Sequence, residues 1–158
     1  MPELERHGDR LHLQLDQQET GILRELLKEL RMLLEADIPA DDEVLQRLFP
    51  RAHQDDAEEE AYRELMGNDL RTVKLEALHV VEEGVGAKGA ADLTLSQDEV
   101  ESWLRLLNDI RLAIGTRLEV DDEKMGRAYD PADPEAPALA VLHWLGWLQG
   151  SMLEEMST

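Results

Sequence analysis

The sequence predicts a mainly α fold: a single-domain helical bundle of about five or six helices with a small two-stranded β ribbon. Three observations predict it. First, the stretch WLRLLNDIRLAIGTRL at 103–118 is too apolar for a one-sided surface helix. Trp103, Leu106, Leu107, Ile110, Ala113 and Ile114 form one stripe at helical spacing, and Leu104 and Leu112 flank Asn108 as a second ridge. A helix with two apolar ridges belongs in the middle of a bundle. Second, Leu11, Leu13 and Leu15 alternate with polar residues, as do Leu93 and Leu95, which is the period of a half-buried strand. Segments 11–15 and 92–95 are expected to pair, because an isolated strand leaves its backbone groups unsatisfied. Third, 158 residues with 42% hydrophobic content suffice to bury one self-sufficient core, so residues 1–158 read as a single domain.

In chain order, residues 1–10 are polar and read as a loose N-terminus. His12 faces away from the strand leucines and reads as a solvated residue. Asp16 is a helix N-cap with Glu19 at the capping-box position, and Leu23, Leu26, Leu27, Leu30, Leu33 and Leu34 form the stripe of a helix that ends before Pro39. Asp41 or Asp42 caps a short helix through Val44, Leu45 and Leu48, stopped at Pro50. Asp55, Asp56, Glu58, Glu59 and Glu60 open the next helix, where carboxylates favour the positive end of the dipole. That helix is expected to end at Gly67, with Asn68 capping another that carries Leu70, Val73, Ala77, Leu78 and Val81 to Gly84.

Residues 84–91 read as a flexible Gly-rich link. Gly84, Gly86 and Gly89 spell G-x-G-x-x-G, but a dinucleotide site needs that motif to leave a strand and open a helix. Here it leaves a helix and enters a strand. From Leu93 the N-terminal pattern returns: at an offset of 80, Leu13, Leu15, Gln17, Glu19, Leu26, Leu27 and Arg31 recur as Leu93, Leu95, Gln97, Glu99, Leu106, Leu107 and Arg111. Ser96 stands for Asp16 as the cap. Duplication and convergent strand–cap–helix grammar both account for this. Residues 119–136, with seven acidic residues and two prolines, read as an acidic mobile loop without calcium-loop spacing. Pro137 suits a first helical turn, and the final helix runs to about Met156.

Polar residues in apolar surroundings are the candidate site. Asn108, Asp109 and Arg111 fall near the interior of the central helix, and Gln149 falls within the stripe of the last one. Each needs a partner, at about 1–3 kcal/mol for a buried group left unsatisfied, so the four are expected to form a structural polar network, with Asn108 or Arg111 serving Gln149. Trp144 and Trp147 extend the apolar stripe of the last helix around one flank, which fits core filling or a homodimer face. Gly146 and Gly150 point to close helix packing. Glu76 and His79 give one Glu-x-x-His; a di-iron carboxylate bundle needs a second copy, and there is none.

Composition narrows the classes. With 36 acidic against 16 basic residues the formal charge is −20, which repels phosphate backbones and anionic lipid surfaces. Cysteine is absent, so there is no disulfide, thiolate nucleophile or cysteine-bound zinc. No signal peptide and no spanning apolar run is present, and a soluble cytoplasmic protein is expected. No catalytic, cofactor-binding or metal-binding motif stands in the chain.

The strings at 103–118, at 145–149 (LGWLQ) and at 69–78 (DLRTVKLEAL) together resemble an actinobacterial family long described as a domain of unknown function, which includes AosR-type oxidative-stress transcriptional regulators. The resemblance spans most of the chain in the right order. It implies a transcriptional regulator of the oxidative-stress response working with a sigma factor or RNA polymerase. AosR-type members are described as sensing oxidation through a cysteine pair, which this chain lacks, so disulfide switching does not carry over. The expectation is therefore a non-enzymatic acidic regulator acting through protein–protein contacts, with no cofactor. Two alternatives are a metal-binding protein or enzyme using Glu76 and His79, and a direct DNA binder using Arg105, Arg111 and Arg117. Arg105 and Arg117 are also candidate interface residues beside Trp144 and Trp147.

Overall fold

The structure, a computed structural model, describes residues 3–35, 48, 56–117 and 136–157, and within the long middle segment it describes side chains from 70 to 116. Three strands form one antiparallel sheet in the order β1 (Glu3–His7), β2 (Arg10–Leu15) and β3 (Ala91–Leu95). Four helices occupy the described residues: α1 (Gln17–Glu35), α2 (Asp56–Val85), α3 (Gln97–Arg117) and α4 (Ala136–Met156). None is long and apolar enough to cross a membrane.

The pairing of the two alternating segments is present, with Leu11 opposite Leu95, Leu13 opposite Leu93 and Leu15 opposite Ala91. Two expectations need correction. Residues 3–10 are not loose: Gly8 and Asp9 close a hairpin in which Leu4 faces Leu13, turning the ribbon into a three-stranded sheet. Gly8 has φ +64°, the conformation a two-residue hairpin turn demands at its first position. The second correction concerns helix number. α2 runs unbroken through Gly67 and Asn68, so two of the expected helices are one, and four helices have described bounds. A helical glycine costs about 1 kcal/mol, which the buried Ala77, Leu78, Val81 and Val85 of the same helix outweigh. The short helix expected around 41–50 lies outside the described residues except Leu48, which is only 2% exposed in the core. The acidic stretch 119–136 also lies outside them, except Ala136, the first residue of α4.

Both helix caps form as reciprocal boxes. Asp16 accepts from the Glu19 amide at 2.8 Å while Glu19 accepts from the Asp16 amide at 2.9 Å. Ser96 and Glu99 repeat the exchange at 3.2 and 3.0 Å. Each box satisfies two otherwise orphaned amides where a strand turns into a helix.

α3 is central, packing against α1, α2, α4 and strands β2 and β3. Trp103, Leu106, Leu107 and Ile110 sit in one core cluster with the leucines of β2 and α1. α1 leaves the sheet and α2 returns to β3; α3 leaves it and α4 returns to pack on β1, where Arg6 Nη1 donates to the Met156 carbonyl at 3.4 Å. The chain is thus two strand–helix–helix units facing each other across β2 and β3.

Candidate functional site

α3 places its polar residues in three different settings. Asn108 is exposed, which corrects the expectation that it joins an interior network: the second apolar ridge leaves a gap at its position that opens to solvent. Asp109, one residue on, is buried at 4% exposure. Its carboxylate accepts from Lys74 Nζ of α2 at 2.8 Å. Burial pushes the Asp109 carboxyl up, and the Lys74 hydrogen bond and charge offset this only in part. Arg111 points to the other side, where Nη1 donates to Gln149 Oε1 of α4 at 2.6 Å. Gln149 Nε2 in turn donates to the Leu104 carbonyl at 3.5 Å. The expected single network is therefore two separate pairs, Lys74–Asp109 between α2 and α3 and Arg111–Gln149 between α3 and α4. Arg111 is the partner Gln149 required; Asn108 is not.

The Arg111 guanidinium lies over Gly146, where a Cβ would meet Nη2 at 3.4 Å. Gly146 is thus the floor of the arginine's slot. Arg111 Nε and Trp103 Nε1 are buried without a hydrogen-bond partner among the described residues, so the slot stabilises Arg111 through one end of its guanidinium.

The remaining candidates separate. Trp144 is half-buried and packs on the core, whereas Trp147 is 40% exposed. Arg105 is exposed, and the side chain of Arg117 lies outside the described residues. Arg105 and Arg111 occupy different faces of α3, so they do not make a basic stripe. Glu76 and His79 are both exposed, and His79 Nε2 lies 3.8 Å from Glu83. No group of three or more potential metal ligands gathers among the described residues. The glycines of the link are held, not loose: Arg24 donates to the carbonyls of Val85, Gly86 and Gly89, and the Thr20 hydroxyl donates to Gly89 at 2.7 Å. Those carbonyls point at α1, which leaves no anion cradle of the kind the G-x-G-x-x-G spelling suggests.

One feature escaped the sequence reading, and a second was anticipated only at Trp147. The solvent face of the sheet gathers His7, His12 and Asp92, with His12 Nε2 hydrogen-bonded to Asp92 and the two rings edge to face at 5.8 Å. That hydrogen bond holds the exposed Asp92 carboxyl below the usual carboxylate range. Strand register had to be known before residues 80 apart could be placed together. The second is the outward face of α4, where Ala140, His143, Trp147, Gly150 and Leu153 are all exposed. From Ala136 to Leu153 the helix carries no Asp, Glu, Lys or Arg.

The family described as Domain of unknown function (DUF2017) matches residues 1–156. No curated protein and no solved structure matches the chain.

Proposed function

The chain belongs to the DUF2017 family, and from that premise we propose that it is a non-enzymatic regulatory protein acting through protein–protein contacts, with a basic transcription component as its partner. The observation that carries this reading is charge. At −20 the chain is strongly acidic, and several of its cations are spent inside the fold: Arg31 on Glu82 and Glu35, Lys74 on Asp109, Arg111 on Gln149, Arg24 on backbone carbonyls. Pairs with carboxylates cancel charge for charge, so the excess of −20 stands on the rest of the chain. Such an excess attracts a basic protein, speeds its association and repels free duplex DNA. A sigma factor or polymerase surface meets the description. The resemblance to AosR-type regulators supports a role in the oxidative-stress response, by a signal other than cysteine oxidation.

The test is a titration of the purified protein against duplex DNA and against sigma factors of the native host at low and near-physiological salt. Salt-sensitive binding to a protein partner, with no retention of free DNA, is the expected result. Submicromolar binding to DNA alone at the higher salt overturns the reading.

A further inference from the structure

The outward face of α4 is a surface of a different kind from the acidic one on which the proposed function rests. One third of the chain is charged, yet α4 shows solvent a strip without a single formal charge from Ala136 to Leu153. Trp147 and Leu153 on that strip are 40% and 51% exposed. The opposite face is already committed, with Leu142, Leu145, Leu148 and Met152 buried. Exposed apolar strips bounded by polar residues mark contact surfaces.

We infer that this strip is a self-association surface, occupied by a second copy of this chain whose α4 crosses antiparallel with Gly150 at the centre.

Charge selects the occupant. Between Ala136 and Leu153 a basic partner finds no acid to pair with, Glu154 at the end of the strip being the first. Two copies, each at −20, repel one another wherever their acidic surfaces meet, and the uncharged strip is where that repulsion is least. The strip is also self-complementary, as a two-fold contact requires. Trp147 and Leu153 lie three residues either side of Gly150, so an antiparallel crossing there sets each Trp147 level with the partner's Leu153. Gly150 is the notch that lets the backbones approach: a Cβ built on it meets nothing within 4 Å, whereas the slot at Gly146 is filled by Arg111. The ends offer a hydrogen-bonding match as well. The same crossing brings His143 within one helical turn of the partner's Glu154, on the same side of the helix pair, and both residues are exposed. The contact therefore holds one apolar centre and two His–Glu pairs related by the axis.

The experiment is sedimentation velocity on the full chain over a concentration series. Wild type is expected to shift from monomer to dimer as concentration rises. Gly150→Glu is expected to stay monomeric throughout, because it places two like charges at the axis, while its circular dichroism and unfolding midpoint show an intact fold. His143→Glu should weaken the dimer at least tenfold, and adding Glu154→Lys should restore most of the loss. A wild type that stays monomeric at every concentration overturns the inference, as does one that instead floats with neutral phosphatidylcholine vesicles. A dimer that Gly150→Glu leaves unchanged overturns it too, since the contact then lies elsewhere. DNA and sigma-factor binding are read separately, so failure here leaves the proposed function standing.

Discussion

Replacing Lys74 by methionine tests whether the α2–α3 junction depends on a buried ion pair. Lys74 Nζ and Asp109 Oδ1 lie 2.8 Å apart, with side chains 15% and 6% exposed. At that separation and an effective dielectric near 20, the attraction is about 6 kcal/mol. Most of it offsets the cost of taking both charges out of water, as the raised Asp109 carboxyl shows. The net worth of the pair is therefore small, but the cost of breaking it is not. Lys74→Met keeps the volume of the stem and strands a carboxylate in the core, which is expected to cost roughly 3–5 kcal/mol. That is a large part of the ~5–15 kcal/mol that holds a domain together. For a chain of this size, the melting temperature should fall by roughly 6–20 °C. Lys74→Met with Asp109→Leu should return to within about 1 kcal/mol of wild type.

The same reasoning fixes the pH dependence. A raised folded-state pKa means the folded chain keeps the Asp109 proton where the unfolded chain has lost it. This carboxyl therefore favours the fold below the unfolded value of about 3.9, and that contribution disappears as pH rises through the folded value. Without Lys74 the folded value climbs further, so the deficit of Lys74→Met relative to wild type should narrow as the pH is lowered from neutrality toward about 4. Urea unfolding of wild type, single and double variants at both ends of that range is the assay. A single variant less than about 1 kcal/mol below wild type at neutral pH, or a deficit that widens on acidification, refutes the argument.

Four further outcomes follow from the geometry. Asp16→Ala and Ser96→Ala each remove one capping box and should each cost about 1 kcal/mol in urea unfolding, whereas Ser96→Asp should be nearly neutral. Leu13→Ala empties a fully buried position at the centre of the sheet and should cost about 2–5 kcal/mol by the same measurement. Arg24→Met takes the donors from three link carbonyls, and amide exchange at 86–90 should accelerate relative to the body of α1. In carbon-detected NMR titrations the Asp92 carboxyl should titrate below an ordinary aspartate and move upward in His12→Ala; an unchanged midpoint would show that the His12 bond is not what holds it down.

The elements were legible where a local rule acts. Capping boxes, the leucine stripe of α1, the double ridge of α3 and the β2–β3 pairing all follow from residues a few positions apart. The errors arose where position depends on a distant element. Glu3 to His7 look like a polar tail until Leu4 is set against Leu13; the Gly8–Asp9 turn was the signal that a hairpin precedes β2. Gly67 and Asn68 are sound stop and start signals, yet the buried C-terminal half of α2 outweighs them. Of the polar candidates on α3, Asp109 and Arg111 are buried or half-buried as periodicity suggests, but nothing local says that Asp109 meets Lys74 across 35 residues while Asn108 turns to water. The outward face of α4 was legible only at Trp147, the candidate homodimer residue, because the sequence is so uniformly apolar that no period cleanly separates the core side from the solvent side.

The internal repeat gains a structural meaning that spacing alone does not supply. Convergent grammar explains why two strands each feed a capped helix. It does not require Leu13 to pair with Leu93, its own equivalent in the repeat, with Leu11–Leu95 and Leu15–Ala91 exchanged across that pair. A two-fold axis through Leu13 and Leu93 produces that register. The arginines recur as well. Arg31 donates from α1 to Glu82 on the helix that follows it, and Arg111 donates from α3 to Gln149 on the helix that follows that. Each unit is thus a strand, a capped helix and a returning helix held by an arginine at the same repeat position, which favours duplication over convergence. The symmetry fails at the returning helices. α2 packs on both α1 and α3, while α4 packs on α3 and β1 without comparable contact with α1. That failure leaves the outward face of α4 without a neighbour among the described residues, and this is where the proposed second copy of the chain would sit.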